Sequence, residues 1–322
     1  MVNQAMKAAE EIVAGRRLGR EDDLGFLRDT PLEALGEAAD LIRRELAGDK
    51  VDLCTIVAAK SGGCGEDCHF CAQSAQYATG CAVEGLLPED IIVAAARSDD
   101  AEGVDRFSIV TSGKRLSSGE FERAQAVFRR MRDELGIGLC ASTGLIDADQ
   151  LARLRDAGVE RYHCNIETSW RFFPNICTTH SFDEKIATIR AAQEVGLDVC
   201  SGGIVGMGEE WDDRVDMVLT LAGLGIRSIP VNVLSAIPGT PLEGIDPLEE
   251  HEVLRAVAAF RFLVPEAQIR LAGGRVLLSD NGRRAFSFGA SATLTGNMLT
   301  TSGSTIASDK SMIAREGRRA GR

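Results

Sequence analysis

The sequence predicts an α/β chain folded as a (β/α)8 barrel of the TIM type, preceded by an N-terminal helical extension. From residue 51 onward, short apolar runs alternate with polar amphipathic segments. Strand–helix alternation implies a parallel sheet with right-handed crossovers. Eight such runs over about 250 residues are what a closed barrel needs. The position after the first strand holds a cysteine cluster, where the rival open doubly wound sheet would favour a glycine-rich dinucleotide loop.

Taken in order, residues 5–18 and 31–48 read as amphipathic helices and make up an extension over residues 1–50. Strands are expected at 51–58, 106–111, 138–143, 160–166, 198–204, 228–234, 268–272 and 292–299, from their short apolar runs bounded by turns. Helices fit between them at 120–135, 147–157, 182–195, 211–224 and 247–264. No linker or low-complexity tract interrupts residues 51–322, which form the barrel and its tail. The basic run Arg315 to Arg322 reads as a solvated, frayed terminus.

Composition narrows the function. The 322 residues carry a net charge of −12, a poor balance for neutralising phosphates, so no nucleic-acid partner is expected. No apolar run approaches a membrane span, and no secretory h-region opens the chain, so the expected location is the cytoplasm. Nine cysteines in that setting point to metal or redox chemistry rather than to disulfides.

Cys64, Cys68 and Cys71 follow the first strand with C-x3-C-x2-C spacing. Barrel active sites collect on loops at this face. Such a triad can hold three corners of a cubane iron–sulfur cluster and leave one iron open for chemistry, whereas four-cysteine patterns close every corner. A zinc site completed by His69 and a set of ordinary buried thiols are the alternatives. Zinc sites usually pair two cysteine knuckles, which disfavours the first.

Deeper in the expected barrel, Cys140 and Cys200 lie within strands, and so does Arg270. A charge in an apolar strand needs an anionic or polar partner. Two cysteines and an arginine on different strands suggest a second, buried metal or sulfur site.

The triad, with Phe70 before its last cysteine, resembles the signature of the radical S-adenosylmethionine (radical SAM) family. GEDCHFCAQSAQY ending at Tyr77, RYHCNIETS from Arg161, VCSGGIVGMGE from Val199, PVNVLSAIPGTP from Pro230, IRLAGGR from Ile269 and GNMLTTS from Gly296 resemble one branch of it, the biotin synthases. The resemblance runs over most of the chain. It implies a 4Fe-4S cluster on Cys64, Cys68 and Cys71, and cleavage of S-adenosylmethionine to a 5′-deoxyadenosyl radical. It implies sulfur insertion into dethiobiotin from an auxiliary cluster, with Cys140, Cys200 and Arg270 among its ligands. Asn165 and Glu167 fall where the family contacts the cofactor, and Asn232 where a barrel amide faces dethiobiotin. A flavodoxin- or ferredoxin-type electron donor and a homodimer are implied as well.

One position departs from the family pattern. Ser108 stands where the family has a cysteine, and serine is a poor ligand for iron beside soft thiolates. Cys140, Cys164 and Cys200 would give a three-cysteine set able to hold a larger cluster of the 4Fe-5S kind in place of 2Fe-2S. Strand parity opposes Cys164: if Asn165 and Glu167 face inward, Cys164 faces outward unless a bulge re-aims it. Cys177 lies in the loop beyond. Cys54 and Cys81 read as packing or exposed thiols. Two readings compete with sulfur insertion: a sister radical enzyme, such as a hydrogenase-cofactor maturase or an amino-acid mutase, and a non-catalytic cluster- or zinc-binding scaffold.

Overall fold

Alternate strand residues line a lumen or pack under the helices, and the strands close into a ring. The computed structural model describes residues 2–296 and 304–322. Its strands are β1 (Lys50–Lys60), β2 (Arg106–Thr111), β3 (Gly138–Ser142), β4 (Arg161–His163), β5 (Asp198–Cys200), β6 (Gly203–Val205), β7 (Ser228–Val233), β8 (Gln268–Leu271) and β9 (Ala292–Leu294). They pair in parallel in the order β1-β2-β3-β4-β5-β7-β8-β9, and β9 returns to β1 through Cys54 opposite Leu294. The expected (β/α)8 barrel is therefore present. A short β10 (Arg319–Ala320) adds to the start of β1, so the basic tail is paired there rather than frayed.

The fifth strand position is split. The expected run 198–204 becomes β5, the pair Ser201 and Gly202, and then β6. The break comes where an added Cβ on Gly202 would lie 2.0 Å from the Pro230 carbonyl oxygen. The eighth strand is described through Leu294. Thr295 and Gly296 follow it outside the strand, and residues 297–299 of the expected run, with the rest of the GNMLTTS motif, lie outside the described residues.

Helices cover the outside: Glu89–Ala101, Ser118–Glu134, Ala148–Asp156, Phe182–Glu194, Trp211–Gly223 and Glu250–Leu263. Their starts follow local chemistry. Ser117 with Glu120, and Ser181 with Glu184, form reciprocal capping boxes for the helices covering the second and fourth strands. Asp147 accepts from the Gln150 amide at 2.9 Å and caps the third.

The N-terminal helices are Val2–Val13, Gly25–Asp29 and Leu32–Ile42. The last packs on the helix over the seventh strand and on the turn Arg284–Phe288, which leads into β9. This closes the barrel end opposite the cysteine loop. A final helix, Ile306–Arg315, is anchored by the buried ion pair of Arg275 and Asp309. Among the described residues, no helix is long and apolar enough to cross a membrane.

Arg261 ties this closed end together. Fully buried, it donates to the carbonyls of Gly289 (2.9 and 2.8 Å), Pro265 (2.7 Å) and Ala267 (2.9 Å), and to Ser291 Oγ (2.9 Å). Burial lowers its pKa to about 9. Arg261→Leu leaves those carbonyls unpaired, and a loss on the order of 3–5 kcal/mol is expected. The urea midpoint of the cluster-free protein should fall with an unchanged slope; an unaltered midpoint would refute the anchoring role.

Candidate active site

The loop after β1 is organised around its cysteines. Gly62 turns the chain at φ 65°, and a Cβ there would sit 2.5 Å from the Ala82 carbonyl oxygen, so glycine is required. Cys64 N donates to Gln73 O at 3.0 Å, Ala75 N to Cys64 O at 2.7 Å, and Cys71 N to Cys68 O at 3.0 Å. These bonds fold Cys64–Cys71 back on itself. Ser112 Oγ donates to Gly62 O at 2.8 Å, so the hydroxyl of the loop after β2 supports the cysteine loop. His69 does not join the thiols; its ring packs edge-on to Tyr77.

Cys68 Sγ points to Cys177 Sγ at 3.8 Å. The bond from Cys68 pulls the Cys177 thiol below its usual pKa, helped by His180, and Cys68 is pushed up in return. Beside them lies Lys185, buried on the helix Phe182–Glu194, with its ammonium 3.9 Å from Glu167. Burial would lower its pKa, yet Glu167 and the neighbouring thiols hold it above the usual lysine value.

Asn165 and Glu167 follow β4 and face the lumen. Asn165 Oδ1 accepts from Gly202 N at 3.0 Å, and its Nδ2 reaches Glu167 Oε2 at 3.4 Å. Glu167 has φ 69°, a left-handed conformation that is costly for a side-chain residue, on the order of 1–3 kcal/mol. Gly202 and Gly203 hold it there: Glu167 N donates to Gly202 O at 3.1 Å, and Ile204 N donates to Glu167 O at 2.9 Å. A Cβ on Gly203 would lie 2.3 Å from that same oxygen. These glycines thus serve the approach of two strand ends. Asn232 also lines the lumen, but its amide is engaged, Nδ2 donating to Gly203 O at 3.0 Å and Oδ1 accepting from Gly273 N at 2.9 Å.

Below these residues lies a cavity of about 360 Å³. Cys71, Glu167 and Asn232 are at its upper part, and Cys54, Cys140, Cys200, Ser108 and Arg270 line its depth. Cys164 is not among the lining residues. It packs in the hydrophobic layer outside the ring, because strand alternation carries His163 and Asn165 inward and no bulge intervenes. Cys164, expected as a ligand, therefore faces away from the lumen. Cys54 faces into it. It is paired with Arg106 on β2, one lumen position below Ile56 and Ser108.

Sequence reasoning also missed His163, Arg106 and Arg161, all of which line the cavity. Ser228 Oγ donates to Cys200 Sγ at 3.3 Å. Burial raises the Cys200 thiol, but the bond with His163 and the charges of His163, Arg270 and Arg161 outweigh it and bring the pKa down to about 6. Cys140 stays raised by burial, at about 11, with Arg161 and Arg106 opposing. Burial also pushes Cys54 up. Arg270 is paired with Asp52 and donates to the Thr293 carbonyl at 3.2 Å. The Nε atoms of Arg106 and Arg161 are buried without a partner. Orphaned cationic donors beside three thiols mark a place for an anion.

Residues 60–222 match the Radical SAM superfamily, and residues 230–319 match the Biotin and Thiamin Synthesis associated domain. The chain is 50% identical over 311 residues to the biotin synthase of Alkaliphilus metalliredigens, across 97% of this chain and 98% of that one. It is 48% identical over 307 residues to the biotin synthase of Clostridium beijerinckii, across 95% and 97%. Against biotin synthase 2 of Corynebacterium diphtheriae it is 48% identical over 314 residues, across 97% and 94%. Among solved structures, methylornithine synthase superposes with a TM-score of 0.84 at 20% identity, covering 98% of this chain and 97% of the other. The hydrogenase maturase HydG gives 0.82 at 14% identity, covering 99% and 76%. Those two likenesses establish the fold alone. With near-complete coverage at half identity, the chain belongs to the biotin synthase family of the radical SAM superfamily.

Proposed function

We propose that this chain inserts sulfur into dethiobiotin, with Cys64, Cys68 and Cys71 holding the radical cluster and Cys54, Cys140 and Cys200, backed by Arg270, holding the sulfur-donating cluster. The observation that carries this reading is the lumen itself. Three thiols and three guanidinium groups converge below the cysteine loop, across a cavity of about 360 Å³, the size of a small-molecule site.

The residues fit both groups. The looped triad leaves an open corner, and the orphaned Arg106 and Arg161 donors suit a buried anionic cluster. When bound, the 4Fe-4S cluster supplies the electron that cleaves S-adenosylmethionine, and the auxiliary cluster supplies the sulfur. The chain's own side chains do the rest. Asn165 and Glu167, fixed by Gly202, offer acceptors to ribose hydroxyls. Lys185 offers a buried cation beside the triad. Asn232 rigidifies the strand ends against which dethiobiotin would rest.

Ser108 offers no thiol, so three thiolates suit a four-iron unit with one open iron, of the 4Fe-5S kind, better than a 2Fe-2S unit. A flavodoxin- or ferredoxin-type donor and a homodimer complete the proposal. Size-exclusion chromatography with light scattering tests the dimer.

Cys68→Ala should abolish S-adenosylmethionine cleavage under strong reductant, because two thiolates hold a cubane poorly; wild-type rates of 5′-deoxyadenosine release would remove Cys68 from the cluster. Cys54→Ala and Cys200→Ala should keep cleavage but lose biotin formation, while Cys164→Ser should keep both. The reverse pattern, with Cys164→Ser inactive and Cys54→Ala active, would return the ligand role to Cys164.

A further inference from the structure

One grouping is left over once the cluster cysteines are assigned. Cys177, in the loop before the helix Phe182–Glu194, is buried and belongs to neither cluster set. His180 follows three residues later, a C-x2-H spacing of the knuckle type. Among the described residues, Cys68, Cys177 and His180 form the grouping whose donor atoms all lie within 4.8 Å of one another.

The separations carry the argument. Cys68 Sγ and Cys177 Sγ are 3.8 Å apart, and Cys177 Sγ is 3.3 Å from His180 Nδ1 and 3.7 Å from its Nε2. A tetrahedral divalent metal with metal–sulfur bonds of about 2.3 Å and metal–nitrogen bonds of about 2.0 Å places sulfurs about 3.8 Å apart and sulfur and nitrogen about 3.5 Å apart. The observed edges are close to these. The support around the imidazole also fits. His180 Nδ1 lies 2.5 Å from Glu66 Oε2, a carboxylate contact of the kind that steadies a metal-bound histidine, and ligation requires the ring to turn so that one nitrogen faces both sulfurs. The ring is held edge-on by Phe173. Asp67 Oδ1 is 3.3 Å from Cys177 Sγ but already accepts from the amides of Thr178 and Thr179, so a fourth position stays open to water.

We propose that Cys68, Cys177 and His180 form a mononuclear site for a thiophilic divalent cation, ferrous iron or zinc, which shares Cys68 with the radical cluster and so exists only before that cluster is built. Binding displaces the protons of two thiols and changes no oxidation state. Building the cubane takes Cys68 away and releases the ion. The sharing rests on the assignment of Cys68 to the radical cluster; the mononuclear site does not.

The test is an anaerobic cobalt(II) titration of the cluster-free full-length protein. Wild type should bind an equivalent of cobalt with tetrahedral d–d bands and thiolate charge transfer. Cys177→Ser should roughly halve the charge-transfer intensity, and His180→Asn should weaken binding by at least about tenfold. Cys64→Ser/Cys71→Ser and Cys54→Ser/Cys200→Ser should leave the bands in place. Full bands in Cys177→Ser, or their loss in Cys64→Ser/Cys71→Ser, would overturn the site. Cadmium-113 resonance of the wild-type protein reads the donor set without substitution: a shift typical of two thiolates and one imidazole supports the proposal, and one typical of three thiolates contradicts it. Reconstitution with iron and sulfide should then expel the cobalt. Cobalt retained beside a complete cluster would refute the sharing of Cys68 while leaving the sulfur-insertion reading intact.

Discussion

The burial of positive charge in the barrel lumen is the constraint from which the rest follows. Arg106, Arg161 and Arg270 enter the same cavity. Arg270 has Asp52 as a close partner. Arg106 reaches Glu160 at 3.0 Å and Arg161 reaches Asp198 at 3.5 Å, but both carboxylates are more than half exposed. Each guanidinium removed from water costs several kcal/mol unless an anion compensates it. Asp52 is shared among the three, and the further lumen groups able to become anions are Cys54, Cys140 and Cys200. The cations lower the barrier to ionising those thiols, and at buried Cys200 they add to the His163 bond that brings its pKa down. A lumen of this kind is stable as a receptor for an anionic, thiolate-bound group.

The upper site is built differently. There the backbone does the positioning, through the hydrogen bonds within the loop 62–75 and the strained turn at Glu167. Ser112, Gly202 and Asn232 are spent on holding strand ends and loops together rather than on a ligand. On the proposed function, placing the loop above a charged lumen would put a cofactor and a sulfur source on opposite sides of one substrate-sized cavity.

Much of this was legible in the residues. Apolar runs alternating with amphipathic segments predict the ring, and a serine followed three residues later by glutamate, at residues 117 and 181, marks two helix starts. The C-x3-C-x2-C loop announces its own chemistry. The lumen was only half legible. Period two predicts that Cys164 faces away from Asn165, yet the parity of β1 cannot be read when Val51, Leu53, Ile56 and Val57 are all apolar, as in strands buried on both faces. Cys54 therefore passes for a small core hydrophobe. Arg106 and Arg161 sit at strand starts, where a charge ordinarily points to solvent, yet they share the parity of Ser108 and His163 and line the lumen with them. The C-x2-H spacing of Cys177 and His180 marks no site by itself, because Glu66 and Cys68 lie more than 110 residues from His180 in the chain.

The central claim is that three lumen thiols hold a four-iron group without a cysteine at position 108. Iron and acid-labile sulfide per chain, with Mössbauer spectra, on protein reconstituted without oxygen test it most directly. About eight irons, all in cubane-type signals, are expected. About four irons would mean that the lumen holds no cluster, and about six with a distinct 2Fe-2S signal would mean a smaller unit with another ligand; either contradicts the account.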